Sequence, residues 1–363
     1  MLITAKIKGI KYKKELKKEL VKVCLNELNI NKSPASFLVL DKQNVIAVSK
    51  WVSPKRSRSY PYERVYDTVQ ISKKITVIPV IKDEGLFGDR DFLQWDTVSL
   101  MSLLDVFVIF AYYIKADKIG AKITNQEFDN SYVRAKIKEI QSFQSSALHW
   151  NLQELNKNLS SIVELSKSNY YAIEKKTKVK LHNFGGIDKF KNKMSGEVGT
   201  FMEFSRDKAQ KAQNRESSTI QPKENIDIGS KAKITISNYL GGLYYFTVDE
   251  VIVNKNDIKL IECKHSKRAV LPSISDIKDG LLKMILYSNL ENVYIDAKAV
   301  KSKSVLKLTS QSFNGSIDSM NSKEKILKCL KNNALSQKQL HFIDMLFKEA
   351  QQNNFIVEIR GAQ

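Results

Sequence analysis

Three residues of the 363-residue chain stand at a spacing that could do chemistry: Asp249 and, thirteen positions on, Glu262, followed after Cys263 by Lys264. The run Ile258-Lys259-Leu260-Ile261-Glu262-Cys263-Lys264 reads as a strand, so Glu262 and Lys264, two apart, leave it on one face. Asn254-Lys255-Asn256-Asp257 reads as the turn of a hairpin. Asp249 lies five residues before that turn and Glu262 five after it, which sets the two carboxylates close together on adjacent strands. Two convergent carboxylates make a hard-oxygen site suited to Mg²⁺, which keeps several waters and takes phosphate oxygens. The carbonyl of Cys263 is a further candidate ligand. A lysine beside such a site orients or deprotonates a metal-associated water and stabilises charge growing on a phosphorane-like transition state. The parts describe metal-assisted phosphodiester hydrolysis. The ordinary alternative is a cross-strand Glu–Lys pair on a solvent-facing sheet, which is worth little. Against it, Glu262 follows Leu260-Ile261, where an unpaired charge is costly.

These residues need elements to position them. Ser195-Gly196-Glu197 opens a helical pattern running to about Gln213, with Ser195 as its cap. A polar loop to Ser230 leads to strands at Lys231–Tyr239, Leu243–Val253 and Ile258–His265, the first two joined by Gly241-Gly242. A helix at Ser273–Ser288 and a fourth strand at Asn292–Val300 follow. The last 45 residues read as helices around Lys323–Asn332 and Gln337–Gln351, with a short strand at Phe355–Ile359.

Asp249, Glu262 and Lys264, set in a helix, three-strand meander, helix, strand order, resemble the PD-(D/E)xK nuclease superfamily. Val248-Asp249-Glu250-Val251-Ile252-Val253, a polar turn, then Leu260-Ile261-Glu262-Cys263-Lys264 is similar to that superfamily's catalytic hairpin. The resemblance covers Phe184 to Val305, about a third of the chain. It implies that Asp249 and Glu262 hold Mg²⁺ and that Lys264 serves the attacking water. The preceding helix of such proteins often supplies another acid, for which Glu197 is the first choice and Glu203 the second. Some relatives carry Gln-x-x-x-Tyr on the following helix; Lys283-Met284-Ile285-Leu286-Tyr287 keeps the tyrosine but has lysine for glutamine. Val248 stands where the family writes proline.

The first 130 residues read as mixed α/β. Lys13 to Leu28 has helical apolar spacing, Phe37–Leu40 and Val45–Val48 form a hairpin pattern, and Lys74–Ile81 is a strand whose Pro79 belongs at an edge or an end. Val98 to Ile114 is a nearly unbroken apolar run containing Asp105, which reads as a buried helix (Trp95–Leu104) running into a buried strand rather than a membrane span. Between Asn130 and Lys180 apolar residues recur at threes and fours, giving helices that act as a spacer or dimerisation element or pack on neighbouring domains. The expected division is therefore an α/β recognition domain over 1–130, a helical region over 131–183 and the nuclease-like domain over 184–363. The fold class expected is α/β with a PD-(D/E)xK core.

Lysine and arginine number 59 against 39 acids, a net charge of +20, which biases partners towards polyanions. Lys50–Tyr66 gathers three of the nine arginines among four aromatics. Lys55, Arg56, Arg58 and Arg64, with Lys267 and Arg268 after the candidate strand, are the expected DNA contacts. Asp83 to Asp91 is a second acidic cluster. It lacks a lysine at the required spacing and reads as a structural loop with Arg90 paired to a neighbouring Asp. The three cysteines form no metal or disulfide pattern, no signal-peptide core is present, and a reducing, cytoplasmic compartment fits. The four scattered histidines and the missing GxxxxGK[ST] argue against a histidine-metal nuclease and an ATP-driven motor. With the resemblance, this implies a type II restriction endonuclease: Mg²⁺-dependent, sequence-specific cleavage of double-stranded DNA leaving 5′-phosphate and 3′-hydroxyl ends, by a homodimer, alongside a separately encoded methyltransferase and away from membranes. A structure-specific repair or mobile-element nuclease of the same fold, and a non-catalytic DNA-binding protein, are the alternatives.

Overall fold

Ile3, Ala5 and Ile7 alternate with exposed Leu2, Thr4 and Lys6, the period of a half-buried strand, and they form β1 (Leu2–Ile7). This strand does not join the residues that follow it. The computed structural model divides the chain into a split unit, Met1–Lys18 with Lys208–Gln363, and an inserted unit, Glu19–Asp207. It describes the whole chain except residues 42–43, 56–60, 195–201, 204–205, 208–209, 212, 215–229, 240, 255–256 and 363. The expected boundaries after residues 130 and 183 are corrected: the helices over 131–183 belong to the inserted unit, and residues 1–18 to the unit that holds the carboxylates.

The inserted unit contains β2 (Lys22–Cys24), β3 (Ser36–Asp41), β4 (Asn44–Lys50), α1 (Pro61–Thr68), β5 (Lys73–Pro79), β6 (Ile81–Asp83), β7 (Arg90–Phe92), α2 (Trp95–Leu103), β8 (Val106–Ala111), β9 (Tyr113–Ile119), β10 (Lys122–Phe128), α3 (Asn130–Ser142), α4 (Ala147–Lys157), α5 (Leu159–Thr177) and α6 (Gly185–Met194). The main sheet has the order β2-β3-β4-β5-β8, with β3 and β4 as the antiparallel hairpin and Pro79 at the end of β5. Fully buried β8 lies on its edge, where unpaired backbone groups would be costly. Helix α4 supplies the missing neighbour with side chains. Asn151 Oδ1 accepts the Val108 N–H at 2.7 Å, Asn151 Nδ2 donates to Val106 O at 3.0 Å, and Trp150 Nε1 donates to Val108 O at 2.9 Å. The helices over 131–183 are thus packed cover for a sheet of their own unit rather than for a neighbouring domain.

The helix expected over Lys13–Leu28 is absent; Lys22–Cys24 is a strand and only a short 3₁₀ turn follows. Other side chains satisfy the backbone donors that an α-helix would use. Glu15 N and Leu16 N donate to Glu349 Oε2 at 2.7 and 2.9 Å, and Lys13 N donates to Asn353 Oδ1 at 2.7 Å. Tertiary capture by two residues distant in sequence outweighs a modest local propensity.

The rest of the split unit comprises β11 (Ser230–Asn238), β12 (Leu243–Asn254), β13 (Asp257–Ser266), α7 (Ile274–Tyr287), β14 (Glu291–Ile295), β15 (Lys298–Ala299), β16 (Lys301–Ser310), β17 (Ser316–Asp318), α8 (Lys323–Lys331), α9 (Gln337–Gln352) and β18 (Ile356–Gly361). They build a nine-stranded sheet in the order β15-β14-β1-β11-β12-β13-β16-β18-β17. β11, β12 and β13 form the expected antiparallel meander, and Gly241, with φ 75°, makes the turn between the first two. The fourth strand is corrected. Residues 292–300 form the β14–β15 hairpin, turned by Asp296 and Ala297 at positive φ, and β14 pairs with β1. The strand lying parallel beside β13 is β16. Helix α7 packs on β13 and β16, burying Ile277, Leu281, Leu282, Ile285 and Leu286. At roughly 1.5–3 kcal/mol for each large apolar side chain, this anchors α7 by about 10 kcal/mol before entropy is counted. No helix among the described residues is long and apolar enough to cross a membrane.

Candidate active site

Asp249 and Glu262 meet where β12 and β13 begin to part. The ladder pairs Asn254 with Asp257 and runs to Glu250 opposite Ile261. One step further Asp249 stands beside Glu262, and its Oδ2 accepts the Cys263 N–H at 2.9 Å. A side chain thus ends the ladder by taking a backbone donor, and it fixes the carboxyl against the neighbouring strand. Both carboxyls are buried, Asp249 at 4% and Glu262 at 1% exposure.

Two ammonium groups hold Glu262, one on each oxygen. Lys264 Nζ lies 2.9 Å from Oε1, and Lys283 Nζ of α7 lies 2.7 Å from Oε2. Asp279, one turn before Lys283, takes Lys264 Nζ at 3.1 Å. The centre therefore holds three carboxyls and two lysines, and Lys264, Asp279 and Lys283 keep 15–19% side-chain exposure, so solvent reaches it. Gly280 lets α7 come this close. A Cβ there would stand 2.7 Å from Leu306 Cδ1 and 3.3 Å from Lys264 Cε.

The charges are unevenly settled. Burial, and after it the Glu262 charge, push Asp249 up to about 7. Burial alone would raise Glu262 as well, but Lys264 and Lys283 outweigh it and hold that carboxyl down at about 2. Burial would lower Lys264, yet Glu262 and Asp279 outweigh it and keep the ammonium above its usual range. Lys283 is raised for the same reason, chiefly by Glu262 and then Asp249. Held as an ammonium by Glu262 and Asp279, Lys264 is placed to orient groups and to counter negative charge.

Cys263 sends its thiol to the opposite face, where Sγ lies 3.9 Å from Glu250 Oε2 and burial raises its pKa. There Lys307 Nζ sits 2.6 Å from Glu250 Oε2, with both side chains buried. His265 shares that face and bonds Thr309 Oγ1 at 2.9 Å.

Glu197 and Ser195 lie outside the described residues. Glu203 is exposed and helical. Arg56 and Arg58 also lie outside. In the inserted unit, Lys55 Nζ pairs with Asp91 Oδ1 at 2.8 Å. Arg64 is half-buried; its Nη1 donates to Lys50 O at 2.6 Å, and burial lowers its pKa. Arg90 is corrected. It donates to Asn183 O at 2.7 Å and lies over the Phe92 ring, while Asp83 takes His182 Nδ1 at 2.9 Å. Lys267 and Arg268 stand exposed in the bend after β13. The site members that the motif overlooks are Asp279 and Lys283. Their signal is the i, i+4 acid–lysine spacing on the helix after the motif, with Lys283 at the glutamine position of Gln-x-x-x-Tyr.

Among the described residues no group of three His, Cys, Asp or Glu side chains gathers in a geometry ready to hold a metal ion. Comparison with protein-family models, curated proteins and solved structures gives no match.

Proposed function

We propose that the split unit hydrolyses phosphodiester bonds of double-stranded DNA with Mg²⁺, as PD-(D/E)xK nucleases do. We propose further that the chain acts as a type II restriction endonuclease leaving 5′-phosphate and 3′-hydroxyl ends. The observation that carries this reading is Asp249 and Glu262 on one face of a parting strand pair, with Lys264 beside them and a route to solvent. The order of elements supports it: an antiparallel meander β11–β12–β13, helix α7, then β16 parallel to β13.

The donor set fits a hard divalent cation. Asp249, raised to about 7 by burial and its carboxylate neighbour, sits in a centre short of positive charge, and two carboxylate oxygens suit Mg²⁺ with water completing the shell. Asp249 and Glu262 would hold the ion, which would polarise the scissile phosphate and lower the pKa of a bound water. The chain's own residues do the rest. Cys263 N–H fixes Asp249, while Lys264 and Lys283 keep Glu262 ionised and place positive charge where the phosphoryl oxygens gain negative charge. Cutting two strands at a symmetric sequence calls for two such centres, so the working form is a homodimer, guarded in the cell by a separately encoded methyltransferase.

Incubating the protein with a long DNA duplex and Mg²⁺ tests this directly. Discrete fragments support restriction; a smear, or cutting of branched DNA alone, supports a repair or mobile-element nuclease of the same fold. One observation favours a non-catalytic reading: both Glu262 oxygens are already held by ammonium groups. That reading requires retained DNA binding, no cleavage with Mg²⁺ or Mn²⁺, and no heat of Mn²⁺ binding in a calorimetric titration.

A further inference from the structure

Helix α8 buries little of itself. Leu330 is buried and Ile326 half-buried, which fixes the inward face. Lys325, Lys328 and Lys331 stand exposed at i, i+3 and i+6 along an outward ridge, and Glu324 is the one acid in the helix. None of these three lysines pairs with a carboxylate among the described residues.

The helix is tied to the end of the sheet that carries the reactive centre. At the carboxyl end of β13, Gln311 N donates to Ser266 O at 3.3 Å, and Ser310 Oγ donates to Ala269 O at 2.6 Å. Ser312 Oγ donates to Arg268 O at 3.0 Å. The same loop reaches α8: Asn314 N donates to Asn333 Oδ1 at 2.7 Å, and Asn333 Nδ2 donates back to Asn314 O at 3.0 Å. Exposed Lys267 and Arg268 lie three and four residues beyond Lys264, in the bend after β13 and at most about 10–13 Å away by chain length. Hydrogen bonds thus link the bend that bears Lys267 and Arg268 to the carboxyl end of α8.

We propose that α8 is a docking track for a nucleic-acid backbone, continuous through Lys267 and Arg268 with the centre at Glu262 and Lys264. The nine-residue helix is roughly 13 Å long, a distance over which one DNA strand presents about four phosphates. Unpaired lysines on one ridge face that array, and the ridge ends at the loop that bonds the bend after β13. The choice of DNA over another polyanion rests on the phosphodiester reading of that centre; the track itself rests on α8.

The test compares two triple charge reversals of equal net change in the full-length chain. One is Lys325→Glu, Lys328→Glu, Lys331→Glu; the other, placed away from the track, is Lys6→Glu, Lys298→Glu, Lys301→Glu. Binding to a fluorescent duplex is measured over a range of salt, without divalent cation. The track variant should lose about 10- to 100-fold in affinity, with its log–log salt slope smaller by about two to three, while the control changes less than about 3-fold. The milder Lys→Gln triple should lose affinity in the same direction, which separates lost contacts from a damaged helix. Equal losses in both reversals, or no loss in the track variant, overturn the proposal. So does a loss confined to phosphatidylserine vesicles, which makes α8 a lipid-facing helix. A chain that never cuts DNA yet shows the selective loss refutes the nuclease reading and keeps the track. A chain that cuts DNA with unchanged affinity in the track variant does the reverse.

Discussion

Strand β13 has a buried acid–lysine grouping over each face, and the two are built differently. On one face Glu250 has Lys307 at 2.6 Å, and both side chains are nearly sealed from water. On the other, Glu262 has two lysines, a second carboxyl stands beside it, and the ring of charges opens to solvent. The first grouping is closed, a carboxylate and an ammonium in direct contact. The second is crowded, and its strain shows in Asp249, which sits near 7 while its neighbour sits near 2. The same residue types on opposite faces of one sheet thus make a closed ion pair on one side and an open, unevenly charged centre on the other. The surroundings, rather than the motif letters, separate a structural pair from a reactive centre.

The contrast breaks most visibly through the sealed pair. Lys307→Met leaves Glu250 buried without its ammonium and should cost about 3–5 kcal/mol in urea unfolding. The double variant Glu250→Gln, Lys307→Met should recover most of that. Equal losses in single and double variants would mean that the pair contributes nothing beyond packing.

Next in size is the pH dependence set by Asp249. Its folded-state pKa, about 7, lies above the usual carboxylate value, so the protonated form is favoured on folding. The stability this contributes is fully present below pH 4 and is lost as pH rises through about 7, by up to about 4 kcal/mol. Glu262, held at about 2, has the opposite sign: its contribution is present above the usual glutamate value and fades as pH falls towards 2. Melting temperatures between pH 5 and 8 should decline more for the parent chain than for Asp249→Asn. Parallel curves would place the Asp249 pKa elsewhere.

Lys264→Ala should lower DNA cleavage by at least ~100-fold, about 2.7 kcal/mol of transition-state stabilisation, with duplex affinity little changed. Cleavage at the parental rate would remove Lys264 from the reaction. The smallest effect belongs to Gly280→Ala. Alanine gains up to about 1 kcal/mol of helix propensity, but its Cβ presses Leu306 and Lys264. Stability should move by less than about 1 kcal/mol, while cleavage, if Lys264 is displaced, falls several-fold.

The site was legible where it is local. Asp249 and Glu262 flank a single turn, so hairpin geometry read from the sequence places them side by side, and the register agrees. Lys283 was visible only as a departure from a glutamine, because its reach to Glu262 depends on α7 settling against β13 at Gly280. The strand beside β13 was misplaced. Residues 292–300 look more like a strand than the lysine- and serine-rich start of β16, and only the completed sheet decides between them. The Lys13–Leu28 helix failed for a similar reason, since nothing local announces that Glu349 and Asn353 take those backbone donors.

β1 lies between β14 and β11, inside the large sheet rather than at its rim. Its parallel partner emerges from the ribosome about 230 residues later, an interval of roughly 10–45 s at usual elongation rates. Throughout that interval Ile3, Ala5 and Ile7 have no strand to join, while the inserted unit between them can finish its own sheet. A chaperone that shields short apolar segments of nascent chains would find its natural client here, and a shortened β1 should raise aggregation during synthesis more than it lowers the stability of chains that have already folded.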